Sequence, residues 1–418
     1  MRRASLLLLF LCFVFIVTQA VAFERPTDDF QAPLTISSSL DDSGTENDWI
    51  LVDVAELNAQ ESLRLVRFIE EQGYGFPLWV TERQKLDAKR NGQDYIDITE
   101  HPDFGIPSYT PQPQHQQQIY HPPNSTVVSK ILPLLSSAEQ KRNLEHFTSF
   151  YTRFYNSESG RASSRWLYER AVNYTVQYAS PKLREAVQLQ VVLHPHAFKQ
   201  ESVIIRLHPN NVSPSANITI VGAHCDSINL LNPFERAPGA DDDGSGTVTI
   251  LEAYRSILES GYIPSSPLEF HFYAGEEGGM LGSIDVVHDF VQSGKSVRGM
   301  MQFDMTAWVA AGTQEKVAIV MNKVNPRLTE WLKLVIDKYL DIPWFETLYS
   351  DRAGSDHQPW TMARYPAAHA IEGLWEDMNR ANAHSPNDTI DISSEFSFEH
   401  ILEFTKLAVA FAVELSDY

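Results

Sequence analysis

IVGAHCDSINLLNPFERAPGADDDGSG, residues 220–246, is the stretch that decides how this chain is read. An apolar run ends in His224-Cys225-Asp226, and the glycine-flanked acidic triplet Asp241-Asp242-Asp243 follows within one loop. Two further apolar runs end in the same way. Leu268 to Ala274 (LEFHFYA) leads into Gly275-Glu276-Glu277, and Met300 to Phe303 (MMQF) leads into Asp304. Three strand-like segments therefore each deliver imidazole or carboxylate at a C-terminal end, where open α/β sheets gather ligands. Imidazole plus carboxylates is a donor set for zinc or a similar divalent metal, and a surplus carboxylate can serve as a base. Alternate residues of a strand share a face, so His224 and Asp226 look one way and Cys225 the other. Cys225 is expected to be buried and inert.

The surrounding pattern alternates. Strands are expected at Val191–His196, Ser202–His208, Asn217–Ala223, 268–274 and Gly299–Asp304, with helices starting at Thr247 and covering Ser283–Gln292. Such alternation implies an α/β fold, a three-layer sandwich whose mixed sheet is parallel at its centre and flanked by helices. Helices are also expected over Val127–Leu135, Ala138–Thr152 and Ser163–Val172. Phe398 to Leu415 carries apolar residues at helical spacing and reads as a terminal packed helix.

At 418 residues the chain is long enough for one large domain plus an appendage. Its 43% hydrophobic and 11% aromatic content argues for a packed core. A net charge of −21 offers no basic face for nucleic acid. At the N-terminus, Arg2 and Arg3 precede an apolar run, Leu6 to Val17, and the small-x-small site Ala20-Val21-Ala22. Residues 1–22 thus read as a signal peptide, the run being short for a membrane span, and the protein as secreted and extracellular. Cys12 leaves with that signal, so Cys225 has no disulfide partner. Asn-x-Ser/Thr sequons at Asn124, Asn173, Asn211, Asn217 and Asn387 are candidate glycan sites in a secreted chain.

Residues 23 to about 107 are polar and acidic, with a strand candidate at Trp49–Val54 and a helix candidate at Asn58–Gln72. Next comes the Pro/Gln-rich stretch PSYTPQPQHQQQIYHPP, residues 107–123, which lacks core-forming residues and reads as an exposed, cleavable linker. The expected organisation is a small propeptide domain over 23–120 and a catalytic domain over 121–418, with processing near 108–122.

Eight collinear pieces carry a family resemblance: FTSFYTRFYNSESG (147–160), HAFKQESVI (196–204), GAHCDSIN (222–229), PGADDDGSG (238–246), AGEEGGMLGS (274–283), QFDMT (302–306), SDHQPW (355–360) and AHSPNDT (383–389). From about Ser125 onward the chain resembles the extracellular di-zinc leucine aminopeptidases of bacteria and fungi, peptidase family M28. The resemblance implies two zinc ions per chain. His224 and Asp304 would hold one, Glu277 and His384 the other, and Asp242 would bridge them. Two ions about 3.5–4 Å apart clamp both the attacking and the substrate oxygens. Glu276 would be the general base, taking a proton from a water shared by the ions and passing it to the leaving amine. Asp226 would receive the other ring N–H of His224 and fix its tautomer.

Further implications concern the surroundings. Ser355-Asp356-His357 looks like a ligand motif, but the family's metal histidine is matched by His384. The Asp242–Asp243 peptide bond would be cis. The family's cysteine pair is replaced by Ser350 and Gly354, with Arg352 where an aromatic stands between them. An apolar pocket for the N-terminal side chain would be formed by Met305, Arg352, Ile371, Trp375 and Met378, with the polar His369 in the same stretch. Apolar N-terminal residues of peptides are then the expected substrates, and peptides the expected partners, with no nucleic acid, no membrane and a monomeric chain. The prosegment would lie near the active-site mouth and restrain activity. Two alternatives stay open: a glutaminyl cyclase-like enzyme using one zinc, and an inactive peptidase-like binding domain.

Overall fold

The structure is a computed structural model that describes residues 62–71, 73–106, 118–213 and 215–417. The expected signal peptide, the strand candidate Trp49–Val54 and most of the linker lie outside the described residues.

The first described element corrects the expectation of a helix over Asn58–Gln72. Leu63–Glu70 is instead strand β1, paired antiparallel with β2 (Gly73–Tyr74), β3 (Leu78–Thr81) and β4 (Tyr95–Asp97). Leu65 and Ile69 are buried and four residues apart, a spacing that suits a helix face as well as a strand face. Tertiary pairing on both edges settles the choice. Between β3 and β4 lies helix α1, Glu82–Arg90. Thr81 and Gln84 form a reciprocal capping box at its start, and Lys89 and Arg90 occupy its last turn, where cations suit the helix dipole.

The larger body follows. Helix α2 (Val128–Ile131) runs into a single 3₁₀ turn containing Pro133, so the helix expected over Val127–Leu135 is broken. Helices α3 (Ser137–Phe147), α4 (Glu158–Tyr178) and α5 (Pro181–Ala186) are each capped by a serine, at Ser136, Ser157 and Ser180. Strands β5 (Val187–His194), β6 (Ser202–Pro209) and β7 (Ile218–His224) precede helix α6 (Gly246–Ser260), which stops at Gly261 in the left-handed conformation (φ +71°). Next come β8 (Leu268–Tyr273), α7 (Leu281–Gln292), β9 (Val297–Phe303), β10 (Val317–Val320), α8 (Pro326–Tyr339), β11 (Trp344–Thr347), α9 (His357–Met362), β12 (Ala367–Ile371) and α10 (Phe398–Ser416).

These strands form one 8-stranded sheet in the order β11-β10-β12-β9-β7-β8-β6-β5. The centre, β12-β9-β7-β8, is parallel, and β8-β6-β5 is antiparallel. Central strands are buried on both faces, which is why they read as largely apolar runs without strict alternation. One face is covered by α6, α8 and α10. Residues from α7 and α9 cover the other, joined there by Leu65, Ile69, Ile96, Ile98 and Phe104 of the N-terminal segment. That segment therefore shares a core with the larger body. No described helix is long and apolar enough to cross a membrane.

Candidate metal centre

The order β9-β7-β8 brings three C-terminal strand ends side by side. His224 is the last residue of β7. Glu276 and Glu277 follow β8 through Gly275, whose φ of +69° turns the chain. Asp304 follows β9. The acidic triplet enters from the loop before α6, and its Asp242–Asp243 peptide bond is cis. His384 comes from the loop ahead of α10.

These residues converge on Asp242. Its Oδ1 lies 3.1 Å from His224 Nε2 and its Oδ2 lies 2.9 Å from His384 Nε2. Asp304 Oδ1 is 3.6 Å from His224 Nε2, and Glu277 Oε2 is 3.3 Å from His384 Nε2. Two donor triads result, His224-Asp242-Asp304 and Asp242-Glu277-His384, each with its donor atoms within 4.8 Å of one another. This set fits two divalent ions. Glu277 Oε1 is buried without a hydrogen-bond partner, an acceptor that a cation would satisfy.

The electrostatics agree with that fit. Burial pushes the carboxyls of Glu276 and Glu277 up. Burial opposes ionisation of Asp242 too, but His384 and His224 outweigh it and hold Asp242 well below the usual range. Burial pulls His384 down, yet Glu277 and Asp242 hold it up at about 9. The cluster concentrates negative charge that divalent ions would balance.

The scaffold fixes the donors through backbone groups. Asp226 accepts from Glu276 N at 3.0 Å and Glu277 N at 3.1 Å. With both oxygens so engaged, its Oδ1 stands 3.4 Å from His224 Nδ1, which is buried without a hydrogen-bond partner, so the expected bond from the His224 ring N–H to Asp226 is not made. Asp243 accepts from His224 N at 3.0 Å, Gly246 N at 2.9 Å and Met305 N at 3.2 Å. Asp241 takes Ala307 N and Asn379 Nδ2. Ser355 Oγ donates to Asp304 Oδ2 at 2.6 Å. The outer members of the triplet are thus braces, and the middle one faces both histidines.

A cavity of 230 Å³ adjoins the cluster, lined by Met305, Tyr349, Trp375 and Met378 beside Asp242, Glu276, Asp304 and His384. Two residues expected there are elsewhere. Arg352 is exposed, although its neighbours Ser350, Ala353 and Gly354 line the cavity, and its carbonyl accepts from Asp94 N at 2.8 Å. Ile371 ends β12 and packs in the core beneath, against Met305 and Met378. His369 is buried with its ring 4.6 Å from that of His357, and neither belongs to a donor triad. Asn124, Asn173, Asn211 and Asn387 are exposed, and Asn217 is half-buried.

Three functional residues went unseen in the sequence. Arg153 is buried, with Nε on Cys225 O (3.0 Å), Nη2 on Gly239 O (2.9 Å) and Nη1 on Pro238 O, tying the β7 end to the acidic loop. It lies within the motif 147–160, which signalled its importance without its role. Tyr349 lines the cavity, and nothing in its local sequence marks it. Lys89 of α1 places Nζ 2.5 Å from Glu277 Oε2, 3.3 Å from Glu277 O and 3.7 Å from Glu276 Oε2. Burial pulls its ammonium down, but Glu277 and Glu276 hold it well above the usual range.

Comparison with known proteins agrees with this geometry. The sequence pattern of peptidase family M28 matches residues 202–409. Leucine aminopeptidase 1 of Grosmannia clavigera is 39% identical over 387 residues, covering 90% of each chain. That match is too long to fit within residues 121–418, so it reaches into the N-terminal segment. Leucine aminopeptidase 1 of Colletotrichum graminicola is 37% identical over 361 residues, covering 84% of this chain and 86% of that one. In overall fold the chain is similar to the LapA aminopeptidase of Legionella pneumophila, with a TM-score of 0.72 at 23% identity over 85% of this chain and 99% of that one.

Proposed function

Since this chain belongs to peptidase family M28 and is a zinc-dependent peptide hydrolase, we propose that it is an aminopeptidase. It would remove apolar N-terminal residues from peptides, with two zinc ions per chain. The observation that carries this reading is the division of Asp242 between His224 and His384, each on its own donor triad.

When bound, the two ions supply Lewis-acid polarisation of the scissile carbonyl and acidify water. His224 and Asp304 would hold one, Glu277 and His384 the other, and Asp242 would serve both. Glu276 stands beside this set, not within it. It takes one proton from the attacking water as the C–O bond forms. It returns that proton to the leaving nitrogen as the C–N bond breaks, releasing a free amino acid and a peptide with a new amino terminus. Asp226 steadies Glu276 and Glu277 by receiving both backbone N–H groups. Met305, Tyr349, Trp375 and Met378 offer apolar surface to the departing residue's side chain.

A single-zinc cyclase would leave one complete triad idle, and a binding domain would have no use for an additional buried carboxylate such as Glu276. Further parts of the reading concern processing. Residues 1–22 direct secretion and are removed, 23–120 form a propeptide, and 121–418 act as a monomeric catalytic domain. The exposed sequon residues Asn124, Asn173, Asn211 and Asn387 suit a secreted chain, and the core that the N-terminal segment shares with the larger body suits a segment that assists folding.

The test is a panel of aminoacyl chromogenic substrates, assayed with and without chelator and against N-acetylated controls. Chelator-sensitive release from leucyl and similar substrates, with none from the blocked ones, is the expected outcome. Equal cleavage of free and N-acetylated substrates would overturn it.

A further inference from the structure

One face of helix α1 carries both an apolar anchor and a side chain that reaches the metal cluster. Leu86 packs beside the cluster of Phe154, Tyr155, Ile228 and Leu281. Lys89, three residues on and so on the same face, reaches Glu277 and Glu276. Resting on the aminopeptidase reading above, we propose that Lys89 is an internal substrate mimic, its ammonium filling the subsite that a peptide's free amino group must enter.

The chemistry of the two groups is the same. What distinguishes an aminopeptidase substrate is a primary ammonium, and among the described residues Lys89 brings one to this pair of carboxylates. Lys89 is 9% exposed. A buried ammonium is unfavourable unless it is paired and hydrogen-bonded. Glu277 supplies both its Oε2 and its carbonyl, with Glu276 close by. The same ammonium stands in the lining of the 230 Å³ cavity, with Gly92 and Asp94 from the N-terminal segment beside it. A primary amine next to an apolar pocket is the arrangement an N-terminal residue would adopt. The mimic cannot be cleaved: Nζ sits at the end of a methylene stem, with no carbonyl on the adjacent carbon.

The segment is held where this occupancy requires. Arg90 donates to the carbonyls of Leu230 (2.6 Å) and Leu231 (2.8 Å), and Leu230 N donates to His384 O (3.0 Å). Asp94 N donates to Arg352 O at 2.8 Å. Lys85 and Arg64 converge on the buried Asp97. These tethers fix Lys89 beside the donors contributed by Glu277 and the His384 loop, so a substrate amine competes with an intramolecular rival at high effective concentration.

The test uses the full chain, wild type, K89A and K89M, the last retaining most of the stem if the shorter variant folds poorly. Calorimetric titration with leucine and with N-acetyl-leucine is combined with zinc content by elemental analysis. The expected result is leucine affinity at least tenfold higher in K89A and K89M, N-acetyl-leucine affinity changed less than twofold, and equal zinc content throughout. Equal leucine affinity in all three proteins would overturn the proposal. So would parallel gains for both ligands, which indicate plain steric cover, or zinc content rising in the variants, which places Lys89 on a metal position. Failure of the aminopeptidase reading looks different: no form, including chain nicked in the linker, would release leucine from leucine amide.

Discussion

The carboxylate of Asp388 receives the backbone N–H of Asp242 at 3.0 Å, and that of Asp241 at 2.9 Å. Asp388 lies four residues beyond His384, so one short loop supplies a candidate metal ligand and also grips the backbone of the bridging one. Removing the carboxylate orphans two buried N–H groups and frees the loop. Asp388→Ala should therefore lower zinc affinity about 10–100-fold, the usual scale for groups that orient ligands. Competition against a chromogenic chelator measures this; unchanged affinity would show that the acidic loop holds itself.

Glu276 belongs to neither donor triad. Glu276→Ala should keep both ions and lose about 10²–10⁴-fold in kcat, the range for a positioned base. Elemental analysis alongside steady-state kinetics checks both halves. Activity within about tenfold of wild type at full metal content would remove Glu276 from the proton path.

Arg153 satisfies carbonyls of Cys225, Pro238 and Gly239 while its guanidinium stacks 4.2 Å over the Phe147 ring. Arg153→Met keeps bulk but leaves buried acceptors unpaired, each costing about 1–3 kcal/mol. A loss of at least ~2 kcal/mol in denaturant unfolding is expected, with weaker zinc binding. A variant as stable as wild type would mean that water replaces the guanidinium.

Asp97 ties the N-terminal sheet to α1. Burial opposes its ionisation, but Lys85 and Arg64 hold its carboxyl down at about 2. An unfolded aspartate titrates near ~3.9, so the pairing is fully present above that pH and is lost as pH falls towards about 2. The stability difference between wild type and Asp97→Asn should be on the order of 2 kcal/mol at pH 5 and should shrink steadily below pH 4. A difference that is constant from pH 5 to pH 2 would contradict the pairing.

Much of the centre could be read from the chain because its ligands follow strands. His224, Glu277 and Asp304 each close an apolar run, and parallel neighbours bring such ends together whatever lies between. The acidic triplet marked itself by its flanking glycines. The N-terminal segment was harder. Leu63–Glu70 has buried residues at spacings that fit either period, and only pairing with β3 and β4 makes it a strand. Lys89 was invisible because its partner Glu277 is 188 residues away and its local context is an ordinary basic helix end. Arg352 and Ile371 were assigned to the pocket by position in a motif. Which residue of a cavity-lining loop is left exposed, and where a strand ends beneath the floor, are decided by tertiary structure, which motif position does not encode.

The account rests above all on two cations sharing Asp242, and counting them is its most direct test. Protein freed of metal by chelator and dialysis is titrated with zinc while bound metal and hydrolysis of leucyl p-nitroanilide are followed together, for wild type and Asp242→Ala. The expected result is full activity only at two zinc ions per chain, with Asp242→Ala losing tight binding of both. Full activity at one zinc ion per chain, or an Asp242→Ala variant that still binds two tightly, would contradict it.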